Sequence, residues 1–144
     1  MNKTNKGFSL LELLIVVAII LIIATIAIPS LLRSRQAAHE AAAVATLRTL
    51  NTAEVTYLST AAGQFGTMQD LINNTLIPPN FIPGPVSGYQ FAITLDATNR
   101  DFTITAAPAS ANDGRYAYYI TPDGTVRYST YAAPTGAGGT PVSQ

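Results

Sequence analysis

From Leu13 to Leu32 the chain carries no charged residue, and Leu, Ile, Val and Ala fill most of the stretch. Twenty helical residues rise roughly 30 Å, about the hydrocarbon thickness of a bilayer. A buried helix of a soluble domain is rarely apolar on every side over that length, so the pattern predicts a membrane-spanning helix. The apolar run passes into "LLRSRQAAHEAAAVATLRTLNTAEVTYLST", which is rich in Ala, Leu, Arg, Glu and Gln and has no Gly or Pro after Ser30. These are good helix formers. One helix from about Ser9 to Thr60 is expected, roughly 75–80 Å long. Pro29 interrupts it: proline has no N–H for the Thr25 carbonyl and its ring crowds that carbonyl, so a kink or loosened turn is expected there.

The second half of this helix is amphipathic. Val44, Leu47, Val55 and Leu58 fall on one arc, with Leu50 and Tyr57 at its edge. That arc is expected to pack on the chain's own sheet. The opposite arc holds Ala42, Ala45, Thr46, Thr49, Ala53 and Thr56. It is either a mildly polar solvent face or a surface for neighbouring helices, with Ala45 and Ala53 at its centre. Glu54 lies inside the apolar arc and is expected to reach a rim partner such as Arg100 or Arg115. His39 reads as a surface histidine on an exposed helix.

After Thr60 the pattern changes. Residues 61–88 carry four of the nine prolines and four of the ten glycines, the mark of a connecting loop. Within it Thr67-Met68-Gln69-Asp70 resembles a capped start, so a short helix over about 68–74 is expected. Strand patterns follow. "YQFAITL" and "FTITAAP" flank the turn-rich "DATNRD", and "RYAYYIT" and "TVRYSTY" flank Pro122-Asp123-Gly124. Each reads as an antiparallel hairpin. The expected fold class is α+β, a long N-terminal helix packed on a four-stranded antiparallel sheet. The expected segments are 1–7, 8–32, 33–60, a connecting loop 61–88, a sheet head 89–131 and a mobile Gly/Pro-rich tail 132–144.

Composition narrows the chemistry. Eight basic and eight acidic residues balance, and only 11% of residues are charged. There is no overall electrostatic case for nucleic acid. The chain has no cysteine and one histidine, which excludes a disulfide framework, thiolate catalysis and a multi-histidine metal site within the chain. No G-x-S-x-G, P-loop or H-E-x-x-H is present. Asp96, Asp101, Asp113 and Asp123 lie in turns, where Asp hydrogen-bonds locally; none follows an EF-hand pattern. Tyr116, Tyr118, Tyr119, Tyr128 and Tyr131 read first as sheet packing. No enzyme activity, cofactor or metal is expected.

The start of the chain carries the most specific signal. Lys3 and Lys6 precede Gly7, then Phe8, then Glu12 near the edge of the long apolar run. A secretory signal would have a shorter apolar core and a small-residue cleavage site after it; here the small residue, Gly7, precedes the core. "KGFSLLEL" with this apolar run resembles the N-terminus of type IV pilins and of the pseudopilins of type II secretion, closely from Lys6 to about Leu50. The resemblance implies a leader ending at Gly7, cleavage between Gly7 and Phe8, and N-methylation of Phe8 by a prepilin peptidase/methyltransferase. It also implies the pilin fold and an assembly role for Glu12. Many members close a C-terminal loop with a disulfide, which this chain lacks.

Phe8 and Glu12 share a helix face, and an acid near a helix N-terminus meets the positive end of the helix dipole. The Phe8 amine freed by cleavage could pair with Glu12 of its own chain or of a neighbour; an interfacial carboxylate without a partner is the plainer alternative. The resemblance implies the intermolecular pair, and a Pro29 stretch that can lose helix in the assembled filament. It further implies a single pass with a cytoplasmic N-terminus, a lipid bilayer before assembly, an inner-membrane assembly platform and a homopolymer afterwards. The function it implies is a structural subunit of a surface pilus for adhesion, motility or DNA uptake. A pseudopilin forming a periplasmic pseudopilus is the alternative. Some pseudopilins bind calcium.

Overall fold

The computed structural model describes residues 7–82, 84–130 and 140–141. The chain divides into two compact units, residues 1–34 and 35–144. One helix, α1 (Leu10–Thr60), runs through both, as its composition predicts. In the second unit α1 is followed by α2 (Met68–Asn73), a 3-10 turn over Pro79–Phe81, and strands β1 (Tyr89–Leu95), β2 (Phe102–Pro108), β3 (Tyr116–Ile120), β4 (Val126–Thr130) and β5 (Thr140–Pro141).

Each element has a local cause. Thr67 caps α2 by accepting from the Asp70 N–H, and Asp70 accepts in return from the Thr67 N–H at 2.8 Å. Asp96 folds the β1–β2 turn on itself, accepting from Thr98 Oγ1 and from the N–H groups of Arg100 and Asp101. Those bonds, the Thr98 hydroxyl first, hold its carboxyl down at about 2. Asp123 does the same in the β3–β4 turn. Its bond from Arg127 Nη2, at 2.6 Å, is the main reason its carboxyl lies at about 2. Asp96 and Asp123 thus serve local hydrogen bonds, as their positions predict.

The sheet is antiparallel in chain order, β1-β2-β3-β4-β5. The four expected strands are present. The short β5 pairs with β4 through Arg127↔Pro141 and Tyr128↔Thr140, so two residues of the expected tail have a place in the sheet. The rest of that tail, Tyr131 and the first six residues of the expected leader lie outside the described residues. Alternation puts Tyr89, Phe91, Phe102, Ile104, Ala106, Tyr118, Ile120 and Val126 into one core with Leu47 and Leu50 of α1 and Leu71 of α2. Phe65 meets Phe102 edge-on at 4.6 Å, and Phe81 meets Phe91 at 5.6 Å. Tyr116 packs edge-on against Tyr128, which bears out the sheet-packing role of those tyrosines.

The inward arc of α1 holds Leu47 and Leu50, with Val44, Tyr57 and Leu58 packed against the core as expected, but it is turned from the predicted arc at Ala53 and Val55. Ala43, Leu47, Leu50, Ala53 and Glu54 are buried, whereas Val55 is 52% exposed. Ala53, expected on the outer face, belongs to the core. The helix has turned a small-residue edge toward the sheet because the bulky Tyr89, Phe102 and Tyr118 fill the core it shares with them. Glu54 is also corrected: neither Arg100 nor Arg115 reaches it. It is fully buried, and its Oε2 accepts from the Gly66 N–H at 3.0 Å. Arg115 instead holds Glu40, whose carboxylate accepts from the Arg115 backbone N–H, Nε and Nη2 at 2.9–3.2 Å. His39 is not a surface histidine. Its side chain is 20% exposed, with Nδ1 at 3.5 Å from Asp113 Oδ1 and packed against Gly88.

Gly114 lets Tyr89 into the core. The Tyr89 hydroxyl donates to the Tyr116 carbonyl at 2.9 Å, and a Cβ on residue 114 would overlap that hydroxyl. Gly114→Ala is therefore expected to destabilise the protein by about 2–4 kcal/mol, from overpacking and the displaced hydrogen bond. Urea denaturation of the full chain in detergent, followed by tyrosine fluorescence, measures this; an unchanged midpoint would contradict it.

Candidate assembly site at the helix start

The first unit buries almost nothing within the chain. Seventeen large apolar side chains from Phe8 to Leu32 are exposed, Phe8 by 89%. The most apolar window of α1 has a mean hydropathy of 3.1 and none of it is buried. Removing each such side chain from water is worth roughly 1.5–3 kcal/mol, a few tens of kcal/mol over the segment. A surface of that kind needs a bilayer or other apolar helices around it.

Gly7, Phe8 and Ser9 precede the helix and are exposed, and among the described residues no atom beyond its chain neighbours lies within 4 Å of where a Gly7 Cβ would stand. The bond between Gly7 and Phe8 is thus in open, non-helical chain. The helix begins through Ser9. Its Oγ accepts from the Leu11 N–H at 3.3 Å, and Glu12 Oε2 accepts from the Ser9 N–H at 2.9 Å. This is a reciprocal cap in which Glu12 occupies the third helical position. Charge reasoning about Glu12 overlooks this role, although Ser9-x-x-Glu12 is its local signal. The cap also orients the acid: one oxygen is taken by the chain's own backbone, directly beside the residue whose amine cleavage would expose.

Pro29 lies within α1, which continues as helix on both sides of it. The Thr25 carbonyl loses its usual donor there. The Thr25 hydroxyl does not compensate at that point; it donates to the Ile22 carbonyl at 2.7 Å, one turn earlier. Ala27, Ile28, Ser30, Leu31 and Ser34 line a shallow apolar groove beside the proline.

Farther along α1, the outward hydroxyls turn back onto the helix. Thr49, Thr52 and Thr56 donate to the carbonyls of Ala45, Arg48 and Thr52, at 3.2, 3.0 and 2.8 Å. With their donors satisfied within the helix, these exposed threonines stand beside exposed Ala45 and Val55.

Among the described residues, no three His, Cys, Asp or Glu side chains converge as metal ligands. No curated protein and no solved structure matches the chain. Residues 2–28 match the family model of the prokaryotic N-terminal methylation motif. The chain, a long helix packed on an antiparallel sheet, therefore carries at its start the N-terminal methylation motif characteristic of type IV pilins and pseudopilins.

Proposed function

We propose that this chain is a structural subunit that polymerises through its N-terminal helix into a type IV pilus on the cell surface. The observation that carries the reading is the exposed apolar half of α1, most of which lies within the matched methylation motif. Before assembly the bilayer covers that surface, with the N-terminus cytoplasmic; afterwards other copies of the same helix cover it. A prepilin peptidase cuts between Gly7 and Phe8, where the chain is open, and Phe8 is then N-methylated. The new Phe8 amine, still a cation after methylation, is held by Glu12 of the incoming subunit, whose free oxygen is available once the other caps Ser9. Pro29 marks the turn that gives up helical hydrogen bonds most readily in the filament, because one of them is already missing. The exposed Ala/Thr face around Ala45, Thr49 and Thr56 meets neighbouring helices, and an inner-membrane platform adds each subunit.

Electron microscopy of cells with and without the protein tests the reading. Surface fibres that vanish on deletion are expected. Lost enzyme secretion with fibres intact would overturn the pilus in favour of a periplasmic pseudopilus. Mass spectrometry of the assembled subunit is expected to find an N-terminus at Phe8 bearing one added methyl group; an uncut leader in exported material contradicts the processing scheme.

A further inference from the structure

Glu54 is the most costly side chain in the core of the second unit. It is fully buried; among the described residues its Oε1 has no hydrogen-bond partner and its Oε2 is held by the Gly66 N–H alone. Asn51 Oδ1, three residues earlier on α1, is a second buried acceptor without a partner among the described residues. A carboxylate there is an unneutralised charge in a place water does not reach. A carboxylic acid there is a much smaller burden, since one oxygen still accepts from Gly66 and the other carries a proton.

Among the described residues, no cation forms an ion pair with Glu54. The ion pairs among the described residues join Arg35 and His39 to Asp113, Arg115 to Glu40 and Arg127 to Asp123. From α2, Asp70 adds repulsion. The connecting loop contributes the Gly66 N–H, with Gly66 seated so tightly that a Cβ would stand 2.9 Å from Tyr57 Cε1. The β1–β2 turn joins the same loop where the Asn99 carbonyl accepts from the Phe65 N–H at 2.8 Å. It carries Asp96, Arg100 and Asp101. The β3–β4 turn approaches Asn51 through Gly124 and carries the Asp123–Arg127 pair.

We propose that Glu54 is a pH-sensitive latch for the segment from Gly63 through α2 to Ile77. Protonated, Glu54 lets Phe65, Gly66, Met68 and Leu71 seat on α1 and the sheet. Ionised, it draws water to itself, and the segment lifts at Gly66, its single attachment to the carboxyl. The proton leaves to solvent and no other group changes. Burial, and secondarily Asp70, push the Glu54 carboxyl up to about 7, while the Gly66 N–H pulls the other way. The folded form therefore binds the proton more tightly than the open form does. Closure is favoured fully below the ordinary carboxyl range, weakens as pH rises toward about 7, and stays weakened above it. Local opening costs less than global unfolding, so the segment responds before the sheet does.

Hydrogen exchange on the full chain in detergent micelles, corrected for the intrinsic pH dependence of exchange, tests this. Between about pH 5.5 and about pH 8.5 the amides of residues 64–77 are expected to exchange about 30-fold faster, while those of β2 and β3 hold. Glu54→Gln mimics the protonated acid and is expected to keep the segment closed and flat across the range. Glu54→Leu is the second variant, for use if the amide does not fold. Three results would overturn the latch: a wild-type segment indifferent to pH, a rise that persists in either folded variant, or an equal rise throughout the sheet.

Discussion

Glu12→Gln is expected to leave the subunit inserted and processed but to weaken its addition to a filament by roughly 10- to 150-fold. That range corresponds to about 1.5–3 kcal/mol for one hydrogen bond to a charged group. The substitution separates two roles of one side chain. Gln at the third helical position still accepts from the Ser9 N–H, so the helix start survives. What disappears is the negative charge that would face the Phe8 amine of a neighbour. Inside a bundle of apolar helices water is scarce, so a neutral acceptor is a poor replacement for an anion. Glu12→Ala is expected to lose both the cap and the charge. Sheared filament yield, compared with the amount of Phe8-ended subunit in the membrane, measures the effect. Wild-type yield from the Gln variant would sink the proposed pairing.

The features legible in the sequence are those whose causes are local. Thr67 and Asp70 are three residues apart, so the start of α2 is written within one turn of chain. The β1–β2 hairpin follows from alternation on both sides of a turn that Asp96 closes on its own neighbours. The Ser9–Glu12 cap is a local signal too, masked by the more conspicuous charge of the acid. Features set by distant chain are not legible in this way. Arg115 goes to Glu40, 75 residues earlier, because the β2–β3 connection lies against that part of α1. The neighbouring Gln36 donates to the Ala111 carbonyl in the same place. Glu54 meets only a backbone N–H, a partner that no side-chain pattern reveals. The rotation of the inward arc has a similar origin: Ala43 and Ala53 weigh little on a hydrophobicity scale, yet small residues let the helix approach the large rings of the sheet.

That rotation separates two alanines that helical periodicity groups together. Ala53→Glu is expected to unfold the second unit, and Ala45→Glu to leave it folded. Ala53 is 6% exposed within the core cluster, one position from the buried Glu54. A carboxylate there overfills the packing and buries a charge with no cation beside it, a change worth more than about 4 kcal/mol. Ala45 is exposed, and a single Glu there should change stability by no more than about 0.5 kcal/mol. Its effect belongs to assembly. Ala45 stands beside Thr49, whose hydroxyl donates to the Ala45 carbonyl, on the exposed Ala/Thr face. A charge at that point would enter a helix contact with no partner, so filament yield should fall while circular dichroism and protease resistance stay at wild-type levels. If Ala45→Glu assembles normally, the face is a solvent face and α1 meets its neighbours elsewhere. If Ala53→Glu folds normally, the inward arc is the Val44–Val55 arc of the hydrophobicity pattern after all.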